Sequence, residues 1–544
     1  MVTYTQDVKE NSRIEIWTKA IRKLTVERDK QRILKPNYIR RLWDYAFDEI
    51  IPYESPDEEF IESWTNFSNN LYESKLPQQL KIAYFCGPEP ENDLEIMLDL
   101  GVQVENVWAI ESDKNMYSSA LLSAQEKYPS LKIFKGVISE LMKVISFKFD
   151  IIYLDFTAPL FSKASKPILT INSVFESHSL SDLGILVVNS SLPDKTDENI
   201  ELLSDYFRSH AFLEKAIYSG DSKDANFVEG ADCYGYIGKS EVDENELDEE
   251  DLIFEDLIES NFEAAYGAFS THYPTIAASY IQPMLRVGSS SALKQMFLKM
   301  DDQKIKSNLR KMVTIPDYDT VDDFESDDTL DMLSGGDVYE SHEDYPIWNF
   351  ILRLKDSKTN LGKYWYQQFT TKKGALSYLE SIQLYDLLRS AQYSYKDTLS
   401  EDLSKSIEEI IAALPDKNGG IFCDVPMPHL WIELALNHLG NAHHANTDAH
   451  WRAKYQAKSR EMYLDLFVFD NCRPLYDWLP MLNLYGKDMA SIERQVIVRA
   501  CMDAITKQNH YSSFFSYYGA NLIGVGTKRW SDFGELKERY NLNV

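Results

Sequence analysis

Gly87, Glu111 and Asp155 each stand where an apolar, strand-like segment of this 544-residue chain gives way to a polar turn. Lys81-Ile-Ala-Tyr-Phe-Cys86 runs into Gly87-Pro88-Glu89-Pro90, Val107-Trp-Ala-Ile110 into Glu111, and Phe149-Asp-Ile-Ile-Tyr-Leu154 into Asp155-Phe156-Thr157-Ala158-Pro159-Leu160. An acid at the end of a second strand is placed to accept hydrogen bonds from a ribose diol. Glu111 therefore points to an adenosine-type nucleoside. Each residue also has a plainer reading. Glu111 is then a solvated strand end, Asp155 a cap for the backbone N–H groups of a following helix, and Glu89 and Glu91 first-turn acids favoured by the helix dipole.

The elements that would position these residues alternate. A further strand-like segment, Leu131-Lys-Ile-Phe134, lies between the second and the last of those above, with helix-like stretches between them. Leu183-Gly-Ile-Leu-Val-Val-Asn-Ser190 reads as a fifth strand. Such a succession builds a parallel sheet covered by helices on both faces, and ligands bind beyond the carboxyl ends of its strands. Ahead of it, Arg13 to Lys30 and Tyr38 to Ile51 carry apolar residues at helical spacing, and Pro52 to Pro56 breaks them.

This pattern, from about Leu80 to Lys239, resembles the class I S-adenosylmethionine-dependent methyltransferases. The resemblance implies an α/β, Rossmann-like doubly wound sheet and S-adenosylmethionine as cofactor. Gly87 falls at the first glycine of the family's cofactor loop, with Pro88 and Glu89 beside it. Glu111 falls at the ribose acid, and Gly136-Val137-Ile138 where the family contacts the adenine. Asp155 to Leu160 occupies the loop that holds the transferred methyl against its acceptor, with Asp155 orienting or deprotonating the acceptor and Thr157 lining the loop. Phe212 to Ser219 and Cys233 to Gly238 read as the closing antiparallel pair. The chain departs from the family in three places. One glycine stands where three spaced ones are usual, Phe85 replaces the acid two residues before it, and Val137 replaces the acid of the adenine loop. A non-catalytic module that senses a nucleotide or scaffolds a complex is the alternative these departures favour.

Length and a hydrophobic content of 44% predict more than one domain. The divisions are a helical segment 1–79, the Rossmann-like domain 80–240, an acidic linker 241–263, a helical segment with an acidic loop 264–344, and a mainly α-helical C-terminal domain 345–544. The net charge of −30 is concentrated: 241–263 and 317–344 each hold 12 acids and no Lys or Arg. Like-charge blocks of this kind repel themselves and are expected to be solvated. Seven basic residues between Arg286 and Lys311 offer either a solvated helix face or a phosphate-binding one. No apolar run is long enough for a transmembrane helix, and the polar, acidic start is unlike a secretory signal. Five scattered cysteines without a Cys-x-x-Cys pair indicate neither a disulfide framework nor a zinc ribbon, which fits a reducing, cytoplasmic location.

Tyr266 to Met284, rich in small and aromatic residues, reads as a tightly packed helix pair with Pro274 at a helix start and His272 as a core residue. His429, His438, His443, His444 and His450 precede a predicted basic helix with Arg452, Lys454, Lys458 and Arg460. Their spacing matches no compact zinc motif, so no metal site is assigned. A surface that meets an anionic partner is the competing reading. There is no Gly-x-Ser-x-Gly elbow and no phosphate loop. The acceptor loop lacks both the double proline of amino-methylating DNA enzymes and the Pro-Cys of cytosine-carbon methylation. The expectation is methyl transfer to a macromolecule, nucleic acid or protein, by alignment of donor and acceptor.

Overall fold

The computed structural model describes residues 7–37, 40, 58–208, 255–256, 258–282, 285–286, 346–371, 377–381, 405, 443–476 and 539–542. Helix α1 (Asp7–Leu24) and helix α2 (Glu58–Leu71) come first. The alternating unit follows: β1 (Ile82–Phe85), α3 (Glu91–Asp99), β2 (Val107–Glu111), α4 (Lys114–Lys127), β3 (Lys132–Lys135), α5 (Ile138–Val144), β4 (Phe149–Asp155), α6 (Pro167–Glu176), β5 (Leu180–Ser191) and α7 (Asp197–Arg208). Then come α8 (Phe262–Ile276), α9 (Pro346–Asp356), α10 (Asn360–Thr370), β6 (His444–Ala445), β7 (Trp451–Ala457), β8 (Arg460–Asp470), α11 (Arg473–Tyr476) and β9 (Tyr540–Asn541).

The nine strands form one sheet in the order β3-β2-β1-β4-β5-β8-β7-β9, with β6 also on β8. β1 to β5 are mutually parallel, and β8 runs antiparallel to both β5 and β7. The order reverses between β1 and β4, which makes this a doubly wound, Rossmann-like sheet with its switch point at the carboxyl ends of those two strands. β4 is apolar almost throughout because both of its faces are covered. Ile151 and Tyr153 face a core shared with α1, α3 and α4. Phe149, Ile152 and Leu154 face the other core, with α5 to α10.

The closing hairpin is the main correction to the sequence reading. β5 pairs along nine residues with β8, from Leu183↔Asp470 to Ser191↔Met462. The strands that close the sheet beyond β5 therefore come from 451–470. Phe212 to Ser219 and Cys233 to Gly238 lie outside the described residues. Arg452, Lys454, Lys458 and Arg460 are on this hairpin and not on a helix. Trp-Arg-Ala-Lys-Tyr-Gln-Ala and Met-Tyr-Leu-Asp-Leu-Phe-Val-Phe are rich in the aromatic and branched residues that suit a pleated surface. Lys458 supplies the positive φ (57°) of the two-residue turn that joins them. β6, β7 and β8, which fall within the stretch the sequence puts in a separate helical domain, thus belong to the Rossmann-like sheet.

Pro274 does not start a helix. It lies inside α8, which passes into a π-helical turn at Ala277–Ile281. Proline lacks the N–H for its bond to residue 270, and near the end of a helix a wider turn absorbs that loss. His272 is a core residue as expected: it is buried, with Nδ1 2.5 Å from the Tyr206 hydroxyl. The first acidic run folds at its end, where Ile258 and Phe262 enter the core. The second run, the residues from 287 to 311, His429 and His438 lie outside the described residues. Among the described residues, no helix is long and apolar enough to cross a membrane.

Candidate functional site

At the carboxyl end of β1 the chain turns sharply. Gly87 takes φ +59°, in the left-handed region that glycine enters without penalty. Its missing Cβ would meet no atom within 4 Å, so this side of the turn is open. Pro88 is exposed beside it. Glu89 is held locally, its Oε2 accepting a bond from Asn92 Nδ2 at 3.1 Å. Cys86 is bonded through its N–H to the Ile110 carbonyl at 3.2 Å. Burial and the nearby Glu111 carboxylate push the Cys86 thiol up to about 12, so it is no nucleophile. Phe85, which replaces the usual acid, packs edge-on against Phe156 with ring centroids 5.5 Å apart. This joins the ends of β1 and β4 with an apolar contact.

Two acids follow β2, and the geometry separates their roles. Asp113 caps α4, its Oδ1 accepting from the N–H groups of Asn115 (2.8 Å) and Met116 (2.9 Å). Glu111 is half-buried and uses Oε1 for the Asp113 N–H at 2.7 Å. Its main-chain carbonyl accepts from Gly136 at 3.0 Å, tying the end of β2 to the turn after β3. Gly136 has φ +149°, and a Cβ there would fall 2.8 Å from Glu140 Oε2 and 2.9 Å from Phe134 Cε1. Val137, the next residue, stands at the start of α5 and is half exposed.

Asp155 ends β4 opposite Asn189 on β5. Both of its oxygens are engaged: Oδ1 accepts from Asn189 Nδ2 at 2.7 Å, and Oδ2 lies 3.2 Å from Lys9 Nζ on α1. Asp155 does not cap a helix in this structure. Asn189 Nδ2 also donates to the Tyr455 hydroxyl at 2.8 Å, and Asn189 Oδ1 is buried without a hydrogen-bond partner among the described residues. Thr157, two residues beyond Asp155, is exposed.

Helix α1 roofs this end of the sheet. Trp17 Nε1 donates to Asp93 Oδ1 at 2.8 Å, and Arg13 Nε lies 3.3 Å from Asp93 Oδ2. Asp93 sits in the first turn of α3. Burial raises its carboxyl above the ordinary range, against the pull of Arg13 and Trp17. The Trp17 ring also stands edge-on to Tyr84 and Tyr153, one on each strand beside the switch point.

The loop after β4 is braced from the opposite face. The Tyr266 hydroxyl of α8 accepts the Leu160 N–H at 3.1 Å and donates to Ser190 Oγ at 2.9 Å. From α10, Trp365 Nε1 donates to the Phe161 carbonyl at 3.0 Å and the Tyr364 hydroxyl to the Lys163 carbonyl at 3.1 Å.

The structure thus brings Gly87, Glu111, Val137 and Asp155 to one end of the sheet, on adjoining strand ends. Lys9, Arg13, Asp93, Asn189, Tyr266 and Tyr455 are additions that sequence reasoning missed. Asn189 alone carried a local signal, as an amide at the end of an otherwise apolar strand. Three histidines of the cluster are described, and they do not form an exposed surface. His443, His444 and His450 are buried, as is Arg452, so they cannot meet an anionic partner together. No group of metal-ligating side chains occurs among the described residues. Arg286 is likewise buried, donating to Gln282 Oε1 at 2.8 Å.

No protein-family model matches the chain, and no curated protein matches it. Solved structures do. An S-adenosylmethionine-dependent methyltransferase from Clostridium acetobutylicum shares 15% identity at a TM-score of 0.17, the match covering 31% of this chain and 59% of that one. The plantazolicin methyltransferase BamL, solved with a triazolic desmethylPZN analogue and SAH, shares 15% identity at a TM-score of 0.17, covering 32% of this chain and 62% of that one. The chain spans less than two thirds of the length of each. At that TM-score the fold assignment rests on the strand order itself. The chain is a Rossmann-like α/β protein.

Proposed function

We propose that this protein is an S-adenosylmethionine-dependent methyltransferase whose acceptor is a macromolecule, nucleic acid or protein. The observation that carries the reading is the division of labour after β2. Asp113 is consumed in capping α4, which leaves Glu111, with one carboxylate oxygen taken by the Asp113 N–H, at the strand end for a ribose diol. The five parallel strands closed by an antiparallel pair match what the resemblance implies of the fold. Asp155 orients the acceptor, on a loop that α8 and α10 brace. In this reading the two bracing helices, α8 and α10, contribute to selecting the acceptor.

A second reading, a nucleotide-sensing module without transfer, is favoured by one observation. Lys9 and Asn189 already occupy both oxygens of Asp155. Calorimetric titration of the full chain with S-adenosylmethionine and S-adenosylhomocysteine tests the common part. Transfer of a labelled methyl group to nucleic-acid, protein or small-molecule fractions of the source cell separates the two readings. Binding without transfer to any fraction selects the sensor, and absence of binding rejects both.

A further inference from the structure

We propose that the amino end of the parallel sheet, remote from Gly87, Glu111 and Asp155, holds a second ligand site, in which Gln282, His443 and Arg286 take a phosphate-type dianion. It stands independently of the nucleoside reading.

Three segments bring these side chains together beside the starts of β4 and β5. The His443 N–H donates to the Ala278 carbonyl of the π-helical turn at 3.2 Å, one turn before Gln282. The His443 ring packs on Phe175 of α6, with centroids 5.7 Å apart. His178, three residues beyond Phe175 and at φ 51°, lies against the Arg286 guanidinium. Arg286 Nη2 in turn donates to Gln282 Oε1 at 2.8 Å. Gln282, His443 and Arg286 are 0%, 0% and 5% exposed.

What this cluster lacks is an acceptor. The bond from Arg286 fixes the Gln282 amide with its oxygen toward the cation, so Nε2 can only donate, and Nε2 has no partner among the described residues. Neither ring nitrogen of His443 has one there. Burial, Arg286 and Lys148 hold His443 well below the usual imidazole range, so the ring is neutral and one of those nitrogens carries a hydrogen. Buried donors of this kind are ordinarily bonded.

Charge selects the occupant. Lys148 and Arg473 stand at the rim, with side chains 39% and 43% exposed, and Asp182 holds them at 2.6 and 3.2 Å. With Arg286, three cations stand against one carboxylate in this group. A water molecule would satisfy the donors and leave that surplus. A dianion satisfies the donors and cancels the surplus, and a guanidinium matches phosphate in shape as well as in charge. The half-exposed rim is the way in.

The test titrates the full chain with inorganic phosphate by calorimetry, at an ionic strength held constant with chloride, and repeats the titration with ribose 5-phosphate. A saturable one-site isotherm is expected. Gln282→Leu and His443→Phe each remove a donor and fill its space with apolar atoms. Each is expected to weaken binding by roughly 10- to 150-fold, the span of a hydrogen bond to a charged group. Lys148→Ala, at the exposed rim where folding is not at stake, is expected to weaken it several-fold. Glu111→Ala should leave it unchanged. Tighter binding of inorganic phosphate assigns the free ion and tighter binding of the ester a phosphorylated small molecule; either result supports the inference. If the wild-type protein binds neither probe saturably, the site holds water and the inference is overturned. It is overturned equally by an affinity that survives all three substitutions, or by one that falls with Glu111→Ala.

Discussion

Arg539 and Asp465 are separated by 74 residues of chain, and Arg539 Nη1 lies 2.8 Å from Asp465 Oδ2, with side chains 3% and 1% exposed. Thr271 Oγ1 (2.7 Å) and His450 Nε2 (3.0 Å) share the other carboxylate oxygen, and the guanidinium lies over the Tyr463 ring. Burial alone would push the Asp465 carboxyl up. Arg539 and His450 instead hold it well below the usual carboxylate range. Arg539→Ala leaves that charge buried with its main counter-ion gone, so a loss of about 3–5 kcal/mol is expected. Urea denaturation reads it. A loss below 1 kcal/mol would show the pair to be dispensable.

Tyr266→Phe keeps the ring and deletes the hydroxyl that joins Leu160 to Ser190. The buried Leu160 N–H then loses its acceptor, at a cost of about 1–3 kcal/mol. Amide exchange offers a second measurement, with faster exchange expected at residues 156–163 and an unchanged rate in β1 and β2. Uniform acceleration over the whole sheet would contradict a local brace.

Glu111→Ala is expected to weaken nucleoside binding by about 1.5–3 kcal/mol, or roughly 10- to 150-fold. Asp113→Ala, by contrast, removes a helix cap and is expected to lower stability by about 1 kcal/mol. Nucleoside affinity that follows Asp113 and ignores Glu111 would reverse the two assignments.

Acid is expected to destabilise the protein before its carboxylates titrate. Burial lowers His444 to about 4, and burial with the Arg286 charge lowers His178 to about 3. Both folded values lie below the unfolded value of about 6.5. The unfolded chain therefore takes up protons first as pH falls. The stabilising contribution is complete above about pH 6.5 and is lost as pH drops toward the folded values, at about 1.4 kcal/mol per unit per histidine. Melting temperatures at pH 7.5, 6 and 5 should fall in step, and His444→Phe should flatten the slope. A flat profile over that range would mean that these rings are solvated.

The parallel half of the sheet was legible in the sequence because its signals are local. Apolar runs of strand length end in Gly87, Glu111 and Asp155, and each boundary fell within a few residues of its place. The hairpin was not legible, because β5 finds its partner some 270 residues later in the numbering (Ser191 against Met462) and nothing near β5 announces that distance. Arg452 and Lys454 misled for a related reason. One is buried and the other pairs with Glu461 across the strands, so neither behaves as the solvated face of a helix. At the candidate site, Glu111 could be read from its strand, whereas Lys9 could not. Its relation to Asp155 exists only once α1 lies across the sheet.

The late position of β8 has a consequence during synthesis. β5 presents a 12-residue edge of unpaired N–H and C=O groups, and its partner is translated only after the intervening stretch has left the ribosome. At 5–20 residues per second that wait is roughly 15–55 s. For that interval the nascent chain carries a long, apolar, open strand, the kind of edge that recruits neighbouring chains. Expression yield in this protein is accordingly expected to depend on elongation rate and on chaperones that reach the nascent chain before β8 does.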